Sequence, residues 1–308
     1  MKQVVAGIDI GGTNTVFGIV TKQGEILYKA SVSTTEFDSP ENLAAKVAEM
    51  ISAFINEDLE LVGVGIGAPN GNFYSGTIEM APNLNWKGVV PLAKIFEKQL
   101  SRPSLLTNDA NAAALGEMIF GAAKGMKDFL FITLGTGLGS GIVVNGQMVY
   151  GHDGFAGELG HVITFPDGRI CGCGRQGCLE TYCSATGIVR TYKSYFPEGS
   201  FQGKQIDARY IFEMAKENEM RALKAFEFTA EVLGLALANS VAYTSPEAIF
   251  IFGGLAQAGP FLFNPLCKSF EKNLLNIYSN KIKILPSALP ENSAAILGAA
   301  SLFWNNIQ

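Results

Sequence analysis

The sequence predicts an α/β protein built from two related units. Short apolar strands alternate with amphipathic helices along the chain. Residues 8–13, a strand end followed by a Gly-Gly-Thr turn, are echoed by residues 132–137, and another strand follows each turn. Two such strand–turn–strand segments indicate a duplication. The 308 residues are sufficient for two domains.

The first third of the chain is predicted to be rich in strands. Ser39 provides an N-cap and Pro40 a first helical residue, and apolar residues then recur at helical spacing as far as Phe54. A shorter helix is expected over residues 92–99. The strands predicted here are 4–10, 16–20, 25–32, 61–66 and 104–107.

The remaining two thirds repeat the strand–turn–strand pattern and then become mainly helical. The dipeptide Asn145-Gly146, placed between apolar runs, is a strong signal for a two-residue hairpin. The predicted strands are 129–134, 140–144, 148–150, 248–252 and 282–286. The predicted helices are 207–218, 220–242, 261–275 and 293–304.

The composition indicates a folded protein and argues against several classes of partner. Hydrophobic residues make up 48% of the chain, and its formal net charge is −5. Nucleic-acid binding needs a concentrated basic face, and the sequence has no cluster of Lys and Arg. The N-terminus has no apolar stretch with a cleavage site, and no apolar run suggests a membrane span. We therefore expect a cytoplasmic protein that binds neither nucleic acid nor membrane.

Three predicted strands end in glycine turns, at Gly11-Gly12-Thr13, Gly135-Thr136-Gly137 and Gly253-Gly254. Glycine lets backbone N–H groups approach phosphate oxygens closely, and Asp9 could hold Mg²⁺ through water. Each turn taken alone is equally consistent with an ordinary tight turn. Neither a P-loop nor a dinucleotide fingerprint is present. Together the turns favour a nucleotide held across a cleft between two related domains.

Asp109 follows the predicted strand 104–107 and begins an alanine-rich helix. One interpretation is a helix cap, in which Asn108 or Asp109 accepts a hydrogen bond from a free N–H group. The other is a general base that takes the proton of an attacking alcohol, for which a strand end is well suited. The sequence alone leaves both open.

The strongest chemical signal is a cysteine and histidine cluster. His161 is followed by Cys171, Cys173 and Cys178, and glycines between them allow the chain to fold back. Three thiols and one imidazole form a closed tetrahedral zinc set, and in a reducing compartment such a cluster favours metal over disulfides. Buried thiols or a redox pair are the alternatives. The other two cysteines, Cys183 and Cys267, are expected to be core thiols.

These residues together resemble the ROK family of repressors and kinases, and within it the glucokinase-like members, over essentially the whole chain. Residues 9–13 are similar to the family's first phosphate motif, 134–137 to its second, and 253–254 to its adenosine motif. The pair Asn108-Asp109 is similar to a sugar-binding Asn and a catalytic Asp. The family's zinc and sugar signature is matched by Glu158, His161, Cys171, Cys173, Cys178 and Glu180.

The resemblance implies an ATP-dependent hexose kinase that phosphorylates glucose at O6, with Asp109 as the base, Mg²⁺ on the nucleotide and a structural Zn²⁺. The implied zinc ligands are His161, Cys171, Cys173 and Cys178. The implied sugar-binding residues are Asn83, Asn108, Asp109, Glu158, His161 and Glu180. The implied nucleotide-binding residues are Asp9, Gly11, Gly12, Thr13, Thr136, Gly137, Gly253 and Gly254.

The resemblance also implies a duplicated actin-like (ribonuclease H-like) ATPase fold, with two domains and a central cleft. Residues 1–115 together with 291–308 would form the smaller domain, because the last helix packs back on it. Residues 116–290 would form the larger domain, which carries the zinc loop. A homodimer or homotetramer is the implied assembly.

Other activities within the family remain possible from the sequence. An N-acetylmannosamine or N-acetylglucosamine kinase would use the same sugar residues, and a fructokinase is a further alternative. A sugar-responsive repressor would need a helix-turn-helix before the first phosphate motif. Only eight residues precede Asp9, so a repressor is not expected. The presence of Asp109 and both phosphate motifs argues against a catalytically silent sugar-binding protein.

Overall fold

The computed structural model of the chain describes residues 1–81, 83–201 and 203–307. It consists of two units. The first unit comprises Met1–Met126, Met148–Ala156 and Ala288–Gln308, and the second comprises Lys127–Gln147 and Gly157–Ser287.

The strands of the first unit are β1 (Lys2–Ile10), β2 (Asn14–Thr21), β3 (Ile26–Ser33), β4 (Leu59–Gly67), β5 (Gly71–Asn72), β6 (Thr77–Glu79), β7 (Val89–Val90) and β8 (Ser104–Thr107). The next three are β9 (Phe129–Leu134), β10 (Leu138–Val144) and β11 (Gln147–Met148). In β11, Gln147 ends a segment of the second unit and Met148 begins a segment of the first unit. The last two strands are β12 (Ala248–Phe252) and β13 (Lys283–Pro286).

The helices alternate with these strands. They are α1 (Pro40–Phe54), α2 (Leu92–Leu100), α3 (Asp109–Phe120), α4 (Glu180–Cys183), α5 (Ala185–Ser194), α6 (Ala208–Lys216), α7 (Met220–Thr244), α8 (Pro260–Asn273) and α9 (Ala294–Asn306). The predicted start of α1 is confirmed, because the Ser39 hydroxyl accepts a hydrogen bond from the Asn42 N–H at 3.2 Å and Pro40 is the first helical residue.

Both units contain a five-stranded sheet with the same pattern of directions. The first sheet has the order β3-β2-β1-β4-β8 and the second the order β11-β10-β9-β12-β13. In each, an antiparallel hairpin is extended by two parallel strands: β1 pairs with β4 and β4 with β8, and β9 pairs with β12 and β12 with β13. The duplication predicted from the glycine turns is therefore confirmed.

The core of the first unit lies between the sheet and its helices. Apolar residues of α1 and α2, such as Val47 and Phe96, join strand residues such as Ile8 and Phe17 in one buried cluster. Helix α9 packs against β1, β4 and α3, which returns the end of the chain to this unit. The parallel strands β1 and β4 are thereby packed against helix α9.

The second unit has its core around α7 and α8. The 25-residue helix α7 is apolar enough to meet the length and hydropathy criteria for a membrane span, which the sequence had not suggested. However, 61% of its most apolar window is buried, and α7 packs against α5 and α8. We therefore interpret α7 as a core helix.

The division into units differs from the predicted domains in three places, one of which is that the last segment of the first unit begins at Ala288 rather than at residue 291. The predicted boundary after residue 115 falls inside α3, which continues to Phe120, and the first unit extends to Met126. Residues 148–156, predicted to lie in the larger domain, belong to the first unit. They are held there by the small β5–β6 hairpin: the Asn72 amide donates to the Asp153 carbonyl at 2.8 Å, and the Tyr74 hydroxyl donates to the Gly151 carbonyl at 2.9 Å.

Candidate active site

The first unit brings two carboxylates together at the carboxyl ends of its parallel strands. In the strand register Asp9 pairs with Gly67, and Gly67 pairs with Thr107, two residues before Asp109. A side chain built at Gly67 would lie 3.2 Å from Asp9 Oδ1 and 3.7 Å from Asp109 Cα. The two acids therefore flank a position that has no side chain.

Asn108 and Asp109 form different hydrogen bonds at the start of α3. Asn108 is the N-cap, and its Oδ1 accepts the Ala110 N–H at 2.8 Å. The same N–H also reaches Asp109 Oδ1 at 2.8 Å, while among the described residues no hydrogen bond is formed by Asp109 Oδ2. Capping is thus done largely by Asn108, and one oxygen of Asp109 remains available as an acceptor.

The pKa of Asp109 is raised above its ordinary value of 3.8. Its side chain is exposed to solvent, yet the surrounding protein is dense enough to desolvate the carboxylate, and this is the largest cause. Hydrogen bonds from the Ala110 N–H and from the backbone N–H of Asp109 itself act in the opposite direction and are weaker. An accessible carboxylate with a raised pKa is a suitable acceptor for a hydroxyl proton.

Asp9 has its pKa raised to about 7, first by desolvation and second by repulsion from Asp109. An acid whose pKa is raised on folding is destabilising once it is ionised. This penalty is absent below pH 3.8, grows as the pH rises, and is complete above about pH 7.

We therefore expect Asp9→Asn to stabilise the first unit at alkaline pH. The gain in unfolding free energy over the wild type should increase by on the order of 2 kcal/mol between pH 5 and pH 8. Both tryptophans, Trp86 and Trp304, are buried in the first unit, so fluorescence during urea unfolding reports on that unit. The exposed Asp58→Asn is the matched control for the loss of one carboxylate, and an equal gain for Asp9→Asn at both pH values would contradict the assignment.

The first glycine turn lies beside the predicted sugar-binding residue Asn83. The Gly11 N–H donates to the Asn14 carbonyl at 2.9 Å, which closes the turn. A side chain at Gly12 would lie only 2.5 Å from the carbonyl oxygen of Asn83, so glycine is needed for this approach. Asn83 and Thr13 are both exposed to solvent. The structure thus brings the predicted phosphate turn and Asn83 together.

The two glycine turns of the second unit are also adjacent. Strand β12 runs parallel to β9, with Phe252 opposite Thr133. Gly253 has a φ of 104° and passes so close that a side chain there would lie 2.6 Å from the Leu134 carbonyl oxygen. Both the backbone conformation and the close approach therefore require glycine. This places 253–254 beside the 135–137 turn.

The turn at 135–137 is anchored by residues near α4 and α5. The Ala185 N–H donates to the Gly135 carbonyl at 2.8 Å, and the Thr186 hydroxyl donates to the Thr136 carbonyl at 2.9 Å. The Thr136 residue itself is exposed to solvent. A turn whose carbonyls are already bonded inward is well prepared to present N–H groups and a hydroxyl outward.

The predicted metal ligands converge in the second unit. One ligand atom from each of His161, Cys171, Cys173 and Cys178 lies within 4.8 Å of the others. The His161 Nδ1 is 3.7 Å from the Cys171 sulfur, and the Cys173 and Cys178 sulfurs are 3.6 Å apart. With metal–ligand bonds of about 2.0–2.3 Å in a tetrahedral site, such separations are the expected ones. The donor set and its geometry therefore fit a zinc ion.

The orientation of His161 follows from this arrangement. Its Nδ1 faces the thiol cluster, whereas its Nε2 points toward the exposed Glu158, whose Oε2 is 4.0 Å away. The guanidinium of Arg175 donates to the His161 carbonyl at 2.7 Å and closes the loop from the other side. One ring nitrogen can thus ligate a metal while the other remains available to a bound ligand.

Glu180 connects the metal cluster to the second glycine turn. Its Oε2 accepts the Leu138 N–H at 2.9 Å, and its Oε1 is 3.9 Å from the Cys171 sulfur. A side chain at Gly137 would lie 2.3 Å from the carboxylate. Glu180 is therefore held in place by the Leu138 N–H and lies against two predicted site residues, Gly137 and Cys171.

One expectation about the remaining cysteines is wrong. Cys183 is buried, as predicted, and its sulfur lies 3.5 Å from the Thr229 carbonyl oxygen. Cys267 is exposed rather than a core thiol. The buried face of α8 is formed by other residues, including Leu262, Leu266 and Phe270, so position 267 faces solvent.

Sequence reasoning did not find three polar residues around the first unit's strand ends. Thr107 is fully buried at the end of β8, Asn111 is buried in α3, and Tyr150 comes from the 148–156 segment. The position of Thr107, a polar residue at the end of a strand with two leucines before it, could have indicated a site residue. Nothing in the local sequence connects Tyr150 with this site.

Comparison with known proteins identifies relatives over the whole chain. The profile described as the ROK family matches residues 5–306. The glucokinase of Thermotoga maritima is 34% identical over 316 aligned residues, with 99% of each chain covered. The crystal structure of a ROK family glucokinase from Streptomyces griseus, in complex with glucose and AMPPNP, is 34% identical with a TM-score of 0.81 and covers 97% of this chain and 98% of its own.

Repressors are also among the relatives. The xylose repressor of Bacillus subtilis is 29% identical over 96% of this chain and 76% of its own length. The structural match confirms the predicted two-domain, actin-like ATPase fold. The full-length profile match and the glucokinase relatives lead to one conclusion: this chain is a member of the ROK family.

Proposed function

We propose that this protein is an ATP-dependent hexose kinase that transfers the γ-phosphoryl group of ATP to O6 of glucose. Asp109 takes the proton of the sugar hydroxyl, with Asn83 and Asn108 as further sugar ligands in the first unit. In the second unit Glu158, His161 and Glu180 bind the sugar. The backbone of the turns at 11–13 and 135–137 binds the phosphates, and Gly253-Gly254 accepts the adenosine.

The observation that carries this proposal is the state of Asp109. Its carboxylate is accessible, has one oxygen without a hydrogen bond among the described residues, and has a raised pKa. Phosphoryl transfer has a loose transition state, so the base needs position more than strength. A carboxylate used only as a helix cap would not need these properties, since Asn108 already caps α3.

We propose two metals for this activity. Zn²⁺ bound by His161, Cys171, Cys173 and Cys178 would be structural, because four protein ligands leave no open position for water activation. It would hold the loop that carries His161 and Glu180. Mg²⁺ would neutralise charge on the phosphates, with Asp9 as a partner through water. A cytoplasmic location fits a chain whose five cysteines are all unpaired.

Two other functions are alternatives to the glucose kinase. An N-acetylhexosamine kinase or fructokinase would use the same base and differ only in the pocket around the sugar. A sugar-responsive protein without turnover is the second candidate, because a repressor that is 29% identical aligns with 96% of this chain. Both are separated from the glucose kinase by one set of assays.

The proposed activity is tested by ADP release with glucose, mannose, fructose, N-acetylglucosamine and N-acetylmannosamine. We expect glucose to give the highest kcat/KM, and we expect 6-deoxyglucose to bind without being phosphorylated. The best kcat/KM with an N-acetylated sugar or with fructose would contradict the glucose assignment. Sugar binding without ADP release from any sugar would contradict the kinase assignment.

A further inference from the structure

A small group of buried polar side chains surrounds the point where β8 passes into α3. Thr107 is fully buried and Asn111 is 3% exposed. They bracket the Asn108-Asp109 pair, with Thr107 just before it and Asn111 just after it. The Asn111 Nδ2 donates to the Thr107 hydroxyl at 3.4 Å, so a polar contact spans the first turn of the helix that begins at Asp109.

Tyr150 reaches the same place from the 148–156 segment. Its hydroxyl faces the Thr107 side chain. Its ring stacks on Phe73, with the ring centroids 4.1 Å apart and the planes 2° from parallel. Desolvation raises the pKa of the Tyr150 phenol, which therefore remains a neutral hydroxyl that can donate.

Tyr150 has little freedom to move away from this position. The hydroxyl of Tyr74 donates to the carbonyl of Gly151, and the amide of Asn72 donates to the carbonyl of Asp153. The Asn72 Oδ1 in turn accepts the Tyr74 N–H at 3.0 Å. The β5–β6 hairpin and its turn thus hold the residues that directly follow Tyr150, which limits the movement of the phenol beside Thr107.

The hydrogen bonds of Asn111 make Thr107 the critical member of the group. Among the described residues the Asn111 Oδ1 has no partner, and its Nδ2 has the Thr107 hydroxyl. Without that hydroxyl the buried amide would lose its described protein partner, which is costly in a dry interior. The amide would then turn, and the first turn of α3 would move with it.

We propose that Thr107, with Asn111 and Tyr150, positions the carboxylate of Asp109 for proton transfer. These residues touch neither substrate nor nucleotide in this role. They set the angle at which α3 leaves β8, and hence the direction of the Asp109 side chain. The inference rests on the proposed role of Asp109 as the base. Catalysis depends strongly on such placement, because displacements of about 1 Å can cost a hundredfold in rate.

The test compares Thr107→Val with Thr107→Ser in the full-length protein. Valine preserves the shape and removes the hydroxyl, and we expect kcat with the best sugar to fall about tenfold while KM for ATP stays within about twofold. Serine keeps the hydroxyl and should return kcat to within about threefold of the wild type. The matched control is Thr21→Val. Thr21 is equally buried and accepts a backbone N–H from Glu25, but it lies opposite Val4, at the other end of β1 from Asp9.

A wild-type kcat in Thr107→Val, or equal losses in the valine, serine and Thr21→Val variants, would overturn the positioning role. Should Thr107→Val not fold, Tyr150→Phe removes only the phenol oxygen and keeps the ring stack. We expect a loss in kcat of about threefold for it, and an unchanged kcat would overturn the proposal. A wild-type protein without any sugar-dependent ADP release would contradict the proposed kinase itself, so the two failures are distinguishable.

Discussion

Asp109→Asn should lower kcat roughly 10²–10⁴-fold while leaving sugar affinity close to that of the wild type. Asparagine keeps an oxygen that can accept the Ala110 N–H, as Asp109 Oδ1 does at 2.8 Å, so the start of α3 should survive. It cannot accept the hydroxyl proton. Steady-state kinetics with the best sugar and isothermal titration of that sugar separate the two effects.

The matched control for this variant is Asp207→Asn. Asp207 is also an aspartate at a helix start, where its carboxylate accepts the Tyr210 N–H at 2.7 Å, and we expect its loss to leave kcat unchanged. In the wild type, activity should decline as the pH falls through the raised pKa of Asp109, because the protonated acid is no longer a base. A kcat for Asp109→Asn within a few-fold of the wild type would remove Asp109 from the mechanism.

Cys173→Ser should release the metal. A hydroxyl replaces one of four direct ligands, and since the loss of an outer partner already costs 10–100-fold, we expect zinc affinity to fall by more than about 100-fold. The loop carrying His161 and Glu180 would then lose its fixed shape, and sugar affinity should weaken by at least about tenfold. Elemental analysis of the purified protein measures the metal, and sugar titration measures the consequence.

Cys267→Ser is the control for that experiment. Cys267 is an exposed thiol like Cys173 but lies outside the four-residue cluster, so its replacement should preserve full zinc content and sugar affinity. Treating the wild type with a chelator should reproduce the Cys173→Ser phenotype, and adding zinc back should restore affinity. A full equivalent of zinc in Cys173→Ser would show that the metal site is not the one described.

Much of the fold was predictable because its signals are local in the sequence. The apolar runs that form β8, β9 and β12 have the predicted boundaries, and α1 begins at its predicted Ser-Pro cap. The parallel between the two glycine turns indicated the duplication that the sheet orders now show. The candidate metal ligands could likewise be chosen from spacing, since three of them lie within eight positions of one another, and their ligand atoms converge in the structure.

The elements missed by sequence reasoning depend on distant contacts. Helix α5 has few strongly apolar residues, and its Ser184 cap became visible only with the Gly187 N–H bonded to it at 3.0 Å. The two-residue strands β5 and β7 have no periodicity of their own. The assignment of 148–156 to the first unit arises from hydrogen bonds with the β5–β6 hairpin, some 70–80 positions earlier in the chain.

The sequence by itself determined the class of fold and the duplication, and it selected the Cys/His cluster and the two acids as candidate site residues, because residue type and short spacing are sufficient for these features. Only the tertiary structure decided that Asn108 is the N-cap of α3, that the neighbouring Asp109 adds to the cost of ionising Asp9, and that Tyr150 faces Thr107. The physical reason is that desolvation and repulsion depend on distances in space. The pairing of distant strands and the packing of the C-terminal helix on the first unit set those distances, and neither can be predicted from local sequence.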